Sequence, residues 1–464
     1  MIGRSALLLL LCASAVQSRQ APQAGQAPPQ SGSAQAAPAA LAQVAGSQAA
    51  PAASPAPPEG LAPARLAQIQ QALLAAKLDG WLLFDFRGSD PIAARLLGLD
   101  GRGPHSRRWY CYLPARGAPQ LLVHAIEPRA LDGVPGQVAT YTSWRLRDRE
   151  LGRILRGQKR VAMNYSPRNE LPTVARVDAG TVELVRSLGP EVVTSADLVA
   201  ALESTLSPDE LVSQARAAEL LSGDLEAVAQ EAVRRLRAGT PATERELQAF
   251  ALQRQAQEGL TGGDPGVQLD AHSADPHYSP RQAEPGGAGP ELVAAHNSVL
   301  LLDFTARLGD GPHAIYGDLT RVYFLGERVP DELSRVALPV FQARDAAIAL
   351  LRERLAVGRP VTGAEVDNAA REVIVKAGFG DKFLHRTGHN LGVRDHGDGV
   401  NNDDFETHDG RRHLVNTCFS IEPGIYLAGR FGVRSEVDVC LLEGGKVEVR
   451  GGALQMAVPA LLAP

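Results

Sequence analysis

Carboxylates sit inside apolar runs of this chain, and that placement constrains the fold more than any other feature. Asp303 interrupts VLLLDF and Asp318 follows in YGDLTRVY; Glu422 interrupts CFSIEPGIY and Glu436 follows in GVRSEVDV. A carboxylate buried alone in such a strand is costly, whereas metal ions shared between several of them remove the cost. The four acids are therefore expected to converge. His389, in HRTGHNLGVRDHG, lies between the two pairs in sequence. Four carboxylates and one imidazole make a hard, anionic ligand set of the kind that holds two divalent metal ions.

Each acidic pair is spread over two apolar runs joined by Gly-containing turn residues, the pattern of a β-hairpin with one carboxylate per strand. The separations are similar, 15 residues from Asp303 to Asp318 and 14 from Glu422 to Glu436, so both hairpins are expected to present their acids at the same height. His277 in DPHYSP precedes Asp303 by 26 residues, and His396 precedes Glu422 by 26. These offsets predict a duplicated module whose halves face each other across a pseudo-twofold axis, with the metals between them. Helix starts agree with that reading. Ser207-Pro208-Asp209-Glu210 is a capping box with proline at the first helical position, predicting a long amphipathic helix through about Arg237. Thr243 with Glu246, and Thr362 with Glu365, repeat the cap, so helices precede hairpins in each half.

At 464 residues the chain has room for two domains. Residues 1–15 read as a signal peptide: Arg4 supplies the positive region, Ala6 to Cys12 the apolar run and Ala13-Ser14-Ala15 the small-residue cleavage site. That run is far shorter than the roughly 20 apolar residues needed to span a bilayer, so no membrane span is expected. A secreted, periplasmic protein is the expectation. Residues 16–61 are rich in Ala, Pro, Gln, Ser and Gly, a composition that cannot bury enough apolar surface to offset its ordering entropy, and are expected to form a disordered tether. Residues 62–206 alternate helix-like stretches (Leu66 to Ala76, Val174 to Leu188, Ala196 to Ser204) with strand-like ones (Trp81 to Phe86, Trp109 to Leu113, Gln120 to Ile126, Arg160 to Met163), predicting an α/β domain. The segment FDFRGSDP within it reads as a solvated loop. Residues 207–464 form the second domain.

A formal charge of −5 gives no electrostatic reason to expect nucleic acid or an anionic membrane as partner. Beyond the signal, Cys111, Cys418 and Cys440 are too few for a disulfide framework, although one bridge is compatible with them, and no Cys-x-x-Cys spacing offers a thiolate zinc site.

The PHY segment at 276–278, the aspartate pair ending in GDLTR, HRTGHNLG, SIEPGIY and GVRSE together resemble the metallopeptidases of the pita-bread fold, the group that contains methionine aminopeptidase, aminopeptidase P and prolidase, and also the metal-free amidinohydrolase creatinase. The resemblance covers roughly residues 62–450. It implies an α/β N-terminal domain of the creatinase/prolidase type, then an α+β pita-bread catalytic domain with pseudo-twofold halves. It also implies five metal ligands: Asp303 on one ion, His389 and Glu422 on the other, Asp318 and Glu436 bridging. All five residue types are intact, unlike creatinase. Two such ions would acidify a shared water and polarise a scissile carbonyl. The resemblance assigns Glu422 as the base for that water and sets His277 and His396 on either side of the substrate, at its carbonyl or developing oxyanion. His385 is expected in the pocket wall. Arg434, two positions from Glu436, is expected either to orient that carboxylate or to bind the carboxyl end of a short peptide.

Hard oxygen ligands suit manganese first, and the imidazole also admits cobalt or zinc. The stretch between the two aspartates is longer than in the usual peptidase and carries Thr305 where glycine is common, which is expected to lengthen the hairpin tip. The implied activity is exopeptidase cleavage between an N-terminal residue and proline, with short proline-containing peptides as partners. A metal-dependent hydrolase of another small amide or ester, and a non-catalytic metal-containing binding protein of the same fold, remain as alternatives. N-terminal domains of this group often pack against a partner subunit, so the resemblance also allows a homo-oligomer.

Overall fold

The computed structural model describes residues 60–280 and 291–464. The expected signal peptide and all but the last two residues of the expected tether lie outside them. Those two are packed: Gly60 N donates to Gly98 O, Leu61 N donates to Gly133 O, and the Leu61 side chain is buried.

Strands β1 (Gly80–Asp85), β2 (Trp109–Pro114), β3 (Gln120–His124), β4 (Gln137–Tyr141), β5 (Arg160–Met163) and β6 (Glu191–Thr194) make one mixed sheet, ordered β4-β3-β2-β1-β5-β6. Helices α1 (Pro63–Ala75), α2 (Pro91–Leu96), α3 (Trp144–Ile154), α4 (Ala179–Ser187) and α5 (Ala196–Glu203) belong to the same region. The four strands expected from apolar runs are β1, β2, β3 and β5. The two edge strands are additional, because β4 and β6 are largely exposed and lack an apolar run. Charge-rich α3 buries only Leu151 and Ile154, which hides its period in the sequence. Helix α4 starts at Ala179 rather than Val174. Asp178 caps it by accepting from Thr181 N, while Arg176 N and Val177 N donate to Asn164 O. FDFRGSDP is not simply solvated: Asp85 is buried and accepts from Gly88 N and Asp90 N, and Asp90 caps α2.

The second region opens with α6 (Pro208–Arg237), whose capping box is complete on both sides, as are those of α7 (Glu244–Gln257) and α9 (Gly363–Lys376). Strands β7 (Leu260–Thr261), β8 (Gly266–Leu269), β9 (Val299–Leu308) and β10 (Tyr316–Phe324) follow α7 as one antiparallel sheet. Helix α8 (Asp331–Ala356) and α9 then precede a second sheet, β11 (Asn390–Leu391), β12 (Thr417–Ile421), β15 (Val437–Leu442) and β16 (Lys446–Arg450), with β13 (Gly424–Leu427) and β14 (Phe431–Arg434) as a separate ribbon. Two helices followed by antiparallel strands thus occur twice, as pseudo-twofold halves require.

Strand alternation sets what each face does. Leu300, Leu302 and Phe304 of β9, with Leu319 and Tyr323 of β10, pack in the same core as α6 and α7 residues. Val299, Leu301, Val322 and Phe324 pack with α8, α9, β12 and β15. Asp303, Thr305, Asp318 and Thr320 continue that second face toward the other half. Gly317 permits the arrangement, since a Cβ there would stand 2.9 Å from Ala218 N of α6.

The second acidic pair departs from the expected hairpin. β12 and β15 pair directly, ending at Ile421 and Val437, and the ribbon β13–β14 diverges between them. Glu422 and Glu436 therefore stand one step past the ladder, opposite each other. Asp303 and Asp318 are instead diagonal within a continuous ladder, where Asp303 pairs with Thr320 and Asp318 with Thr305. The four acids are not at one height, because the first pair lies in a ladder and the second at the end of one. Cys418 and Cys440, directly paired across β12 and β15, form a disulfide, and Cys111 is free and buried.

Candidate metal centre

A cavity of about 640 Å³ opens between the halves, and its lining includes all nine residues singled out in the sequence: His277, Asp303, Asp318, His385, His389, His396, Glu422, Arg434 and Glu436. Asp303 and Asp318 enter from β9 and β10. His389 enters from the segment before β11. Its preceding Gly388 lets that segment lie against β12, since a Cβ there would stand 2.0 Å from Ser420 O. His389 N donates to Ser420 Oγ at 3.0 Å, Ser420 N to His389 O at 2.9 Å, and Glu422 N to Thr387 O at 2.8 Å. His389 Nε2 then lies 3.4 Å from Asp318 Oδ2 and 3.5 Å from Glu422 Oε1.

Thr320 and Arg434 organise the acids. Thr320 Oγ1 is 2.8 Å from Asp303 Oδ1 and 2.7 Å from Glu436 Oε2, and it accepts from Arg434 Nε at 3.0 Å. The buried Arg434 guanidinium also forms an ion pair with Asp303 and lies 3.9 Å from Glu436. Of the two roles expected for Arg434, orienting carboxylates is the one its contacts fit. It does not share a continuous strand with Glu436, because β14 ends at Arg434. Asp438, two residues past Glu436 on β15, accepts from Asp318 N at 3.2 Å and Gln214 Nε2 at 2.6 Å. Burial pushes its carboxyl up to about 8.

The flanking histidines differ. His277 is exposed, on a loop fixed from below by buried Glu244, which accepts from Leu269 N and Tyr278 Oη and contacts His272 Nδ1 at 2.9 Å. His396 stacks obliquely on His389, with centroids 4.0 Å apart; His389 first, then burial, pulls His396 down to about 4. His385 is occupied on both nitrogens, by Arg386 O and Tyr426 Oη at 2.7 Å each, so it belongs to the wall. A carbonyl on Nδ1 requires that nitrogen to carry the proton, leaving Nε2 to accept from Tyr426. Burial favours that neutral form. The hairpin tip leans on the loop after β11 through Arg307 Nη1 to Val393 O and Tyr316 N to Gly392 O, while Thr305 donates to Asp395 at 3.0 Å.

These donors fit a divalent cation. Buried Glu436 Oε1 has no hydrogen-bond partner. Asp318, His389 and Glu436 each offer an atom within 4.8 Å of the others. Burial, then Glu436, Asp395, Asp303 and Glu422, holds the Asp318 carboxyl well above the ordinary range. Burial, then Glu422 and Asp303, does the same to Glu436. Glu422 departs downward to about 2: burial opposes its ionisation, but its charged neighbours, His389 foremost and then Arg434 and Arg386, outweigh it. The carboxylates gathered around the buried Arg434 guanidinium leave an excess of negative charge that divalent cations at these oxygens would offset.

Residues 217–443 match the model of metallopeptidase family M24. The chain carries an M24 metallopeptidase domain. It is 34% identical over 181 residues to the probable dipeptidase PepE of Mycobacterium tuberculosis, spanning 38% of this chain and 41% of that protein. It is 32% identical over 173 residues to the Xaa-Pro dipeptidase of Lactobacillus helveticus, spanning 37% and 40%. The chain thus matches about two fifths of these curated relatives' length. The crystal structure of dipeptidase PepE from Mycobacterium ulcerans superposes with a TM-score of 0.60 at 25% identity, covering 85% of this chain and 97% of that one. The M24 domain has the pita-bread fold, behind an α/β N-terminal region.

Sequence reasoning missed Thr320 and Asp438. Both have a readable signal. Thr320 is two residues from Asp318 on the same strand face, and Asp438 is an acid inside the apolar run VDVCLL. Asp395, inside the quoted histidine segment, also lines the cavity.

Proposed function

We propose that this chain is a dinuclear-metal-dependent exopeptidase hydrolysing the bond between an N-terminal residue and proline. The carrying observation is convergence: Asp303, Asp318, His389, Glu422 and Glu436 meet in one cavity with Glu436 Oε1 left without a hydrogen-bond partner. In this reading Asp303 would hold one ion, His389 and Glu422 the other, and Asp318 and Glu436 both, with manganese the first candidate. The ions supply Lewis acidity toward water and a carbonyl oxygen.

The protein's own groups do the rest. Glu422, ionised and accepting from Ser420 Oγ at 3.1 Å, takes a proton from the attacking water through its carboxylate. His277 and His396 flank the cavity and donate to the substrate carbonyl as negative charge grows on it. Arg434 and Thr320 keep Asp303 and Glu436 aimed inward, so the acids need not reorganise during turnover.

The proline preference rests on the relative named Xaa-Pro dipeptidase. The higher identity to a probable dipeptidase, whose name does not mention proline, favours a general dipeptidase as the second reading. Export to the periplasm is part of the proposal, and the Cys418–Cys440 bridge supports it, because disulfides persist in oxidising compartments. The test is proline release from an Xaa-Pro dipeptide beside first-residue release from an Xaa-Pro-Yaa tripeptide and hydrolysis of dipeptides without proline, using metal-stripped protein refilled with manganese, cobalt or zinc. Turnover of the dipeptide alone identifies a prolidase and of the tripeptide an aminopeptidase P. Turnover only of dipeptides lacking proline selects the second reading.

A further inference from the structure

One face of β12 and β15 carries a ladder of polar pairs leading into the cavity. Cys418 is opposite Cys440, Ser420 is opposite Asp438, and one step past the last backbone pair Glu422 faces Glu436. Each disulfide sulfur is thus borne four residues from a glutamate. The middle rung already serves the site: Ser420 Oγ donates to Glu422 and accepts from His389 N, and Asp438 accepts from Asp318 N. The outer rung has no backbone pair of its own: Glu422 N donates to Thr387 O and Glu436 N to Thr320 O, in neighbouring segments, before the chain leaves the ladder to form the β13–β14 ribbon. Carboxylates directly opposite each other destabilise a strand pair, so the spacing of this rung depends on the two rungs beneath it.

We infer that the Cys418–Cys440 disulfide is a clamp for the metal centre, holding Glu422 and Glu436 at ligand spacing before any ion arrives. This rests on the metal reading above. Both cysteines are fully buried, in a small cluster with Leu206, Ile315 and Leu391, so the bond is shielded from solvent thiols. The bridge closes a loop containing both glutamates, the ribbon and Arg434, and so restricts the whole segment that brings these groups to the cavity. A purely structural staple would stabilise the metal-free and metal-loaded protein alike. A clamp changes the affinity for metal.

The experiment is calorimetric titration of metal-stripped protein with Mn²⁺, comparing the parent with Cys418→Ser/Cys440→Ser and with Cys418→Val/Cys440→Val, the second pair suiting the apolar surroundings if serine prevents folding. Cys111→Ala, in the other region, is the control. The clamp predicts Mn²⁺ affinity weaker by about tenfold or more in either folded double variant, with circular dichroism unchanged and the control equal to the parent. Affinity within about twofold of the parent, even with a lower melting temperature, overturns it. If neither double variant folds, the parent is titrated after phosphine reduction with its thiols counted, and undiminished affinity overturns the clamp equally. A parent that binds no Mn²⁺, Co²⁺ or Zn²⁺ overturns the metal reading itself, which separates that failure from failure of the clamp.

Discussion

Asp303 and Glu436, brought in from opposite halves of the domain, meet at the single hydroxyl of Thr320, 2.8 Å from one carboxylate and 2.7 Å from the other. One proton cannot satisfy both, and Arg434 occupies the same oxygen as donor. Replacing Thr320 by valine keeps the β-branched shape and removes the hydroxyl. Groups that orient metal ligands typically cost about 10–100-fold in affinity when lost. Thr320→Val is expected to weaken Mn²⁺ binding by about tenfold with little change in melting temperature when saturated, and Thr320→Ser to restore most of it. Calorimetric titration reads both.

Arg434 separates orientation from substrate binding. Its guanidinium is engaged by Asp303 and Thr320, so Arg434→Lys, which keeps the charge but lacks the planar fork, is expected to lower metal affinity and kcat together while leaving KM for a dipeptide within about twofold. A raised KM with unchanged metal affinity would assign it instead to the peptide carboxylate.

Removing metal should destabilise the protein more at high pH than at low. Asp318 and Glu436 are held above their ordinary values of 3.8 and 4.5 by burial and by the carboxylates around them. A raised folded-state value means folding favours the protonated form. Their contribution is therefore full below those ordinary values and is lost as pH rises through the folded ones. Metal ions reverse the preference. The gap in melting temperature between Mn²⁺-loaded and chelator-treated protein is expected to widen from about pH 5 to about pH 8, which differential scanning calorimetry measures.

A second pH effect lies away from the cavity. Burial raises the Asp90 carboxyl from 3.8 to about 7, so its contribution is complete below 3.8 and is lost as pH rises through about 7. The substitution Asp90→Asn would keep an oxygen for Ala93 N and abolish the titration, at a pH-independent cost in the contact with Asn164. Relative to Asp90→Asn, the parent should lose stability between about pH 4 and about pH 8, with a ceiling of about 4 kcal/mol. Urea denaturation at several pH values checks it.

What was legible in the sequence follows from which interactions are local. Capping boxes at Ser207, Thr243 and Thr362 need only residues three apart, and all three form. Buried strands such as β1 and β9 announce themselves as apolar runs. Edge strands β4 and β6 do not, because exposure removes the alternation. Within the site, the acids that line the cavity were visible as charges in apolar strands. The pairing of β12 directly with β15 was not, since a ribbon inserted between two strands has the same local pattern as a continued hairpin. Arg434 was visible as a neighbour of Glu436, but its ion pair with Asp303 joins residues from different sheets and has no local signature.

Whether the five converging side chains form a metal-dependent peptidase centre is tested most directly by hydrolysis of an Xaa-Pro dipeptide. The metal-stripped parent, the Mn²⁺-refilled parent and Mn²⁺-refilled Glu422→Gln are compared, each checked for folding. The expected result is no turnover without metal, turnover restored by Mn²⁺, and a loss of about a thousandfold or more in folded Glu422→Gln. Equal turnover with and without metal, or full activity in Glu422→Gln, would contradict it.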